Sequence, residues 1–146
     1  MFFWMQRKVH WGDCDAARVV WFPKFLEWVE EAEEEMFAAL GHPRPQLLER
    51  FNFGMPRVEL HTDFHSPARA GEVLRVGVSS RVENPRRIRH TFEIREDDSD
   101  RLVATGFVRV GCVDWSTFTP RDLPQEVVEL IRNSQLAGHD RAGPRE

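Results

Sequence analysis

An α+β domain built on one antiparallel sheet is the fold class the sequence predicts, and three observations carry it. One long stretch, from Pro23 to Leu40, places Phe25, Trp28, Val29, Ala32, Met36, Ala39 and Leu40 at spacings of three and four, the period of a helix with one apolar face. Four later runs, 55–65, 72–83, 87–96 and 102–113, carry the strand period of two, and no internal repeat interrupts them. Their order, a strand, a long helix and then four strands, predicts a curved sheet wrapped around one apolar helix. At 146 residues the chain is the size of a single domain.

Taken in order, residues 2–11 alternate weakly and are rich in aromatic side chains, as in a first strand. Residues 12–21 form a loop of small and turn-forming residues. On the long helix, Glu27, Glu30, Glu31, Glu34 and Glu35 form a solvated face. Gly41 stops the helix and Pro43 and Pro45 keep it from resuming, so 42–54 is read as an irregular connection placed to cover a pocket. Leu74, Val76, Val78, Ser80 and Val82 share one face of their strand, as do Ile88, His90, Phe92 and Ile94 of the next. Turn residues at 66–71, 84–85 and 97–100 separate the strands. Pro124 to Leu136 is a short amphipathic surface helix. The domain is therefore 1–136, with 137–146 a flexible tail.

With 41% apolar and 30% charged residues the composition is that of a globular protein. No apolar run approaches the roughly 20 residues that span a membrane. A net charge of −4 gives no general attraction to nucleic acid. The N-terminus lacks the tripartite pattern of a secretory signal, so the chain is expected to be cytoplasmic, with Cys14 and Cys112 reduced.

The segment His10 to Phe25, HWGDCDAARVVWFPKF, joins the first strand to the long helix. Asp13 and Asp15 precede a helix that opens on Pro23, the favoured first position for proline. A helix start carries roughly half a positive charge and free N–H donors, which suit a carbonyl oxygen gaining negative charge. A carboxylate just before it is placed to attack that carbonyl or to activate a water. Taken alone, an Asp pair before a helix is more often turn and cap chemistry than catalysis.

GDCDAARVVWFPKFLEWVEEA resembles the signature of the 4-hydroxybenzoyl-CoA thioesterase family. The likeness is strong over residues 8–40 and continues through the strand order to about 115. The resemblance implies a hotdog fold, a five-stranded antiparallel sheet around one long central helix, with active sites at a dimer interface. It implies acyl-CoA hydrolysis with Asp15 as nucleophile or general base and the Phe22 backbone amide polarising the thioester carbonyl. No cofactor or metal is implied, coenzyme A being part of the substrate, and the partners implied are the acyl-CoA and further copies of the chain, as a homodimer or homotetramer. The sequence departs from the family pattern at Arg18, commonly Gly, at Phe22, where relatives carry Tyr or His, and at Lys24, frequently Asn. The first bears on the loop's path. The second leaves Asp15 without a side-chain partner for acid–base work.

Among other candidates, His10, Asp13, Cys14 and Asp15 are too closely adjacent to converge on one ion. Acids on both sides disfavour a Cys14 thiolate. Trp11 and Trp21 flank the loop and are assigned to an apolar, aromatic or short aliphatic, acyl group. His61 and His65 share a strand face, and His61 is assigned to the substrate pocket beside the plainer reading of a structural strand histidine, which also covers His90. Arg86 and Arg87, with Arg89, are either a solvated hairpin end or a seat for the phosphates of coenzyme A. A non-catalytic acyl-thioester-binding or partner-binding protein on the same scaffold is the alternative function, and a dehydratase lacks its expected histidine at the helix start.

Overall fold

The computed structural model describes residues 1–136; the tail expected at 137–146 lies outside them. In chain order the elements are β1 (Phe3–Lys8), α1 (Pro23–Ala39), α2 (Arg44–Phe51), β2 (Phe53–Gly54), β3 (Arg57–Phe64), β4 (Val73–Asn84), β5 (Arg87–Glu96), β6 (Leu102–Val110), β7 (Val113–Asp114) and α3 (Gln125–Leu136). Five strands form one antiparallel sheet in the order β1-β4-β5-β6-β3, while β2 and β7 pair separately.

On β5, Ile88, Phe92 and Ile94 face inward and alternate residues stay half-exposed, as a sheet with one covered face requires. The helix α1 lies across β4 and β1 and buries Phe25, Trp28, Val29, Ala32, Met36 and Phe37. The stripe also contains Glu33, which is 1% exposed, whereas Ala39 lies in solvent. Helix α3 packs on β4 through Val127 and Ile131.

Three α-helices occur among the described residues where two were expected, the long α1 and the short α3; α2 is the addition. The segment 42–54 is not irregular. Pro45 sits in the first turn of α2, where a missing N–H costs no intrahelical bond, so the proline that reads as a breaker opens a helix. Asn52 closes α2 in the left-handed region at φ 49. The run 102–113 likewise divides, β6 ending at Val110 before β7 turns back to β2.

Strand β3 is an edge. Val58, Leu60 and Phe64 are about half exposed, and beyond β6 the strand has no neighbour among the described residues. A β-carbon at Gly106 on β6 would collide with the His61 carbonyl and the Phe92 ring, so only glycine lets β3 close against β6 here.

Candidate active site

The loop between β1 and α1 is held by backbone bonds at both ends. Val9 N–H donates to the Glu72 carbonyl (2.8 Å), and Val20 N–H to that of Ala68 (2.8 Å). Between them Cys14 and Val20 form an antiparallel bridge, and Arg18 N–H donates to the Asp15 carbonyl (2.9 Å), closing a tight turn. That turn needs a positive φ at Arg18, which sits at 64°. The loop therefore keeps the backbone shape that usually asks for glycine, and arginine adopts it at a cost.

Asp13 and Asp15 have different surroundings. Asp13 accepts from His10 N–H (2.9 Å) through Oδ2, its carbonyl accepts from Trp21 N–H (2.9 Å), and Lys24 Nζ lies 3.9 Å from Oδ1. It ties the loop to the helix start. Asp15 is exposed; its Oδ1 accepts from Ala17 N–H (2.9 Å), and its Oδ2 has no hydrogen bond among the described residues. One oxygen orients the carboxylate, and the other is available for chemistry.

At the helix start, Phe22 already has helical φ and ψ (−51°, −34°), and Lys24 N–H folds back to the Trp21 carbonyl (2.9 Å). Pro23 has no N–H to offer. The Phe22 N–H has no acceptor among the described residues, which leaves it as an unspent donor at the positive end of α1. Trp11, Trp21 and Phe22 stand around it, 81%, 51% and 58% exposed, and Phe22 meets Phe64 of β3 edge to face at 6.3 Å. This exposed aromatic surface stands beside the unpaired edge of β3.

The other expected site residues lie elsewhere. His61 is on the face of β3 opposite Leu60 and Phe64, stacked on Phe107 (5.7 Å) and 3.1 Å from Asp63, so within one chain it points away from Asp15. Arg86 donates to Asp122 (2.9 Å) at the β4–β5 turn, beside Arg87. That turn is at the far end of β5 from the Asp15 loop, about 30 Å away by the strand rise. His65 bonds Thr105 (2.8 Å) just beyond β3.

A second polar cluster had no counterpart in the motif reading. Glu33 accepts from both ends of the Arg57 fork (2.9 and 2.7 Å), and Arg44 and Arg57 both engage Glu30. His90, 1% exposed, places Nδ1 2.6 Å from Ser80 Oγ and Nε2 3.9 Å from Glu33. Burial pushes the His90 pKa down more than Glu33 pulls it up, so the ring is neutral at pH 7. Burial would raise the Glu30 carboxyl, but Arg44 and Arg57 hold it below its usual range. The signal available in sequence was an acid standing in an apolar helical stripe. Among the described residues no set of three His, Cys, Asp or Glu side chains converges to hold a metal, and no helix is long and apolar enough to cross a membrane.

A five-stranded antiparallel sheet packed on α1, with a carboxylate loop feeding an open helix N-terminus, defines a hotdog-type thioester hydrolase. The comparisons with known proteins place it further: the chain belongs to the Thioesterase-like superfamily, which it matches over residues 9–131. It is an acyl-CoA thioesterase. It is 35% identical over 74 residues to the 4-hydroxybenzoyl-CoA thioesterase of Pseudomonas sp., a match covering 49% of this chain and about half, 52%, of that relative. Over 123 residues, 84% of this chain and 89% of the relative, it is 28% identical to the 1,4-dihydroxy-2-naphthoyl-CoA hydrolase of Synechocystis sp.. A crystal structure of a 1,4-dihydroxy-2-naphthoyl-CoA thioesterase from Synechocystis superposes with a TM-score of 0.84 at 26% identity, over 91% of this chain and 97% of that one.

Proposed function

We propose that the chain hydrolyses an aromatic acyl-CoA to the free acid and coenzyme A, with Asp15 as nucleophile or general base and the Phe22 N–H binding the thioester oxygen. One observation carries this reading: the free Oδ2 of Asp15 and the unspent N–H of Phe22 occur on the same loop, on either side of one tight turn. As the carbonyl carbon is attacked, its oxygen gains charge that the amide and the helix start stabilise, and the thiolate of coenzyme A departs. Trp11 and Trp21 form the apolar flank. The named activities of the relatives, on hydroxybenzoyl and dihydroxynaphthoyl thioesters, support an aromatic acyl group.

The same reading includes a dimer. Pairing β3 with its two-fold mate covers the exposed edge and the apolar residues on it. Antiparallel pairing also sets the Phe64 end of one β3 beside the Arg57 end of the other. Arg86 and Arg87 of the partner subunit then lie at the same end of the assembly as Asp15, where their guanidinium groups suit the phosphates of coenzyme A.

The test is Asp15→Asn, which keeps size but removes nucleophile and base. Thiol release from the best aryl-CoA should fall at least ~10²-fold in kcat with an unchanged melting curve. Hydrolysis near the wild-type rate would falsify the assignment.

A further inference from the structure

Between α1, α2 and the β2–β7 pair lies a cavity of about 360 Å³ with Phe37, Leu48, Trp115 and Phe118 among its walls and Glu33, Arg57 and His90 on its floor. Its volume is in the range of small-molecule pockets, roughly 300–1,000 Å³. The walls are apolar and partly aromatic. The floor is polar and almost dry, Glu33 and His90 each being 1% exposed.

We infer that this cavity receives the acyl ring of the thioester and that Glu33 and His90 recognise a hydroxyl group on that ring. This rests on the thioesterase reading above and adds the residues that select the substrate. The charge arrangement narrows the ligand. Glu30 and Glu33 face Arg44 and Arg57, two carboxylates against two guanidinium groups already paired with them. Neither an anionic nor a cationic substituent finds an uncompensated partner there, whereas a neutral hydrogen-bonding group does.

His90 supplies the second half of the argument. The Ser80 hydroxyl has one proton and two neighbours, Nδ1 at 2.6 Å and Met36 Sδ at 3.5 Å. The imidazole nitrogen is the stronger and nearer acceptor, which assigns the ring proton to Nε2, and Nε2 makes no hydrogen bond among the described residues. Its nearest acceptor, Glu33 Oε2, is 3.9 Å away, too far to bond directly. An oxygen about 2.8 Å from each would see them at roughly a right angle. A hydroxyl placed there accepts from Nε2–H, which has no other partner, and donates to the carboxylate beside the bonds Glu33 already accepts from Arg57.

The cavity serves the catalytic loop of the other protomer. Eleven residues of α1 separate Phe22 from Glu33, about 16 Å of rise, longer than a one- or two-ring acyl group. Phe64, by contrast, touches Phe22 and Phe25 (6.3 and 6.1 Å), and β3 pairing carries that end to the partner's cavity.

Matched pairs of substrates test this: 4-hydroxybenzoyl-CoA against benzoyl-CoA, and a hydroxynaphthoyl-CoA against its parent. The wild type should favour the hydroxylated member, and Glu33→Gln should lower that kcat/KM ratio at least tenfold, because a site built around a hydroxyl discriminates strongly for it. Dimers assembled from one Asp15→Asn chain and one Glu33→Gln chain, separately tagged, should recover the wild-type ratio, since one of their two sites is then intact. Equal rates on both members in the wild type, an unchanged ratio in Glu33→Gln, or a mixed dimer that keeps the Glu33→Gln ratio would each overturn the inference. Should Glu33→Gln fail to fold, Trp115→Ala replaces an exposed wall residue; its KM should rise for aryl-CoAs and not for acetyl-CoA, and equal changes on both count against the cavity. Near-wild-type activity in Asp15→Asn alone sinks the role proposed for Asp15, while a dead Asp15→Asn with unaltered selectivity in Glu33→Gln sinks only the cavity.

Discussion

The Asp15 loop and the Glu33 cluster are both acidic, yet they are built in opposite ways. The loop is largely exposed and continuous in sequence; backbone bonds among its own residues shape its turn, with a left-handed Arg18, and Glu72 and Ala68 anchor its two ends. The cluster is buried and drawn from α1, α2, β3 and β5, with every charge matched by a side chain distant in sequence. The role proposed for Asp15 asks for a carboxylate able to donate an electron pair or take a proton, and one oxygen of Asp15 is free for it. The role proposed for Glu33 and His90 asks for dry groups, where a missing hydrogen bond costs most, and both are buried.

That contrast is open to test from the largest effect down. If the loop alone does chemistry, the ~10²-fold loss at Asp15→Asn has no echo at Asp13→Asn, because Asp13 is spent on His10, Lys24 and the loop's own backbone. A comparable loss at Asp13 would mean that the two acids act as a unit. The buried side should show itself in pH dependence. His90 titrates lower folded than its ordinary 6.5, so below that pH the unfolded chain takes up a proton that the folded ring resists. Stability is then lost as pH falls from 6.5 toward the folded value, by up to about 1.4 kcal/mol per pH unit. Urea melts of His90→Gln between pH 7 and 5 should show a shallower loss than the wild type; parallel curves would mean the buried ring is not what responds.

Smaller effects separate the turn from the far hairpin. Arg18→Gly should be more stable than Arg18→Ala by about 1 kcal/mol, since glycine alone accepts φ 64° without strain. Identical melting points would show that the turn relaxes. Replacing Arg86 and Arg87 together should raise KM several-fold with little change in kcat, the sign of lost uniform binding. A fall in kcat alone would move those arginines from binding into catalysis.

The same contrast explains what the sequence revealed. Strand alternation placed Ile88, His90, Phe92 and Ile94 on one face, and all four are buried. The Asp15 segment was legible because its parts are neighbours and its shape is local. Glu33 was not, because an acid breaks an apolar stripe to the eye while Arg57, 24 residues away, makes its burial tolerable. Helix α2 was missed since Pro43 and Pro45 signal a break, and only position within the first turn decides otherwise. His61 and the Arg86–Arg87 pair could be assigned to strands and turns, but which end and which face they occupy depends on strand order.

Trp115 has an optical consequence. The chain contains no tyrosine and five tryptophans, so its near-ultraviolet emission is that of indole alone. Trp28 is sealed in the core, Trp4 is half-buried on β1, and Trp11 and Trp21 stand on the loop that carries Asp15. Trp115, 63% exposed, packs near Phe118 at 6.5 Å on the cavity wall, where the ring of the proposed substrate would displace water from its face. With Trp4, Trp11 and Trp21 changed to Phe, the remaining solvent-sensitive emission would report chiefly on occupancy of the cavity, and a stopped-flow trace could time the ring's arrival separately from the release of thiol.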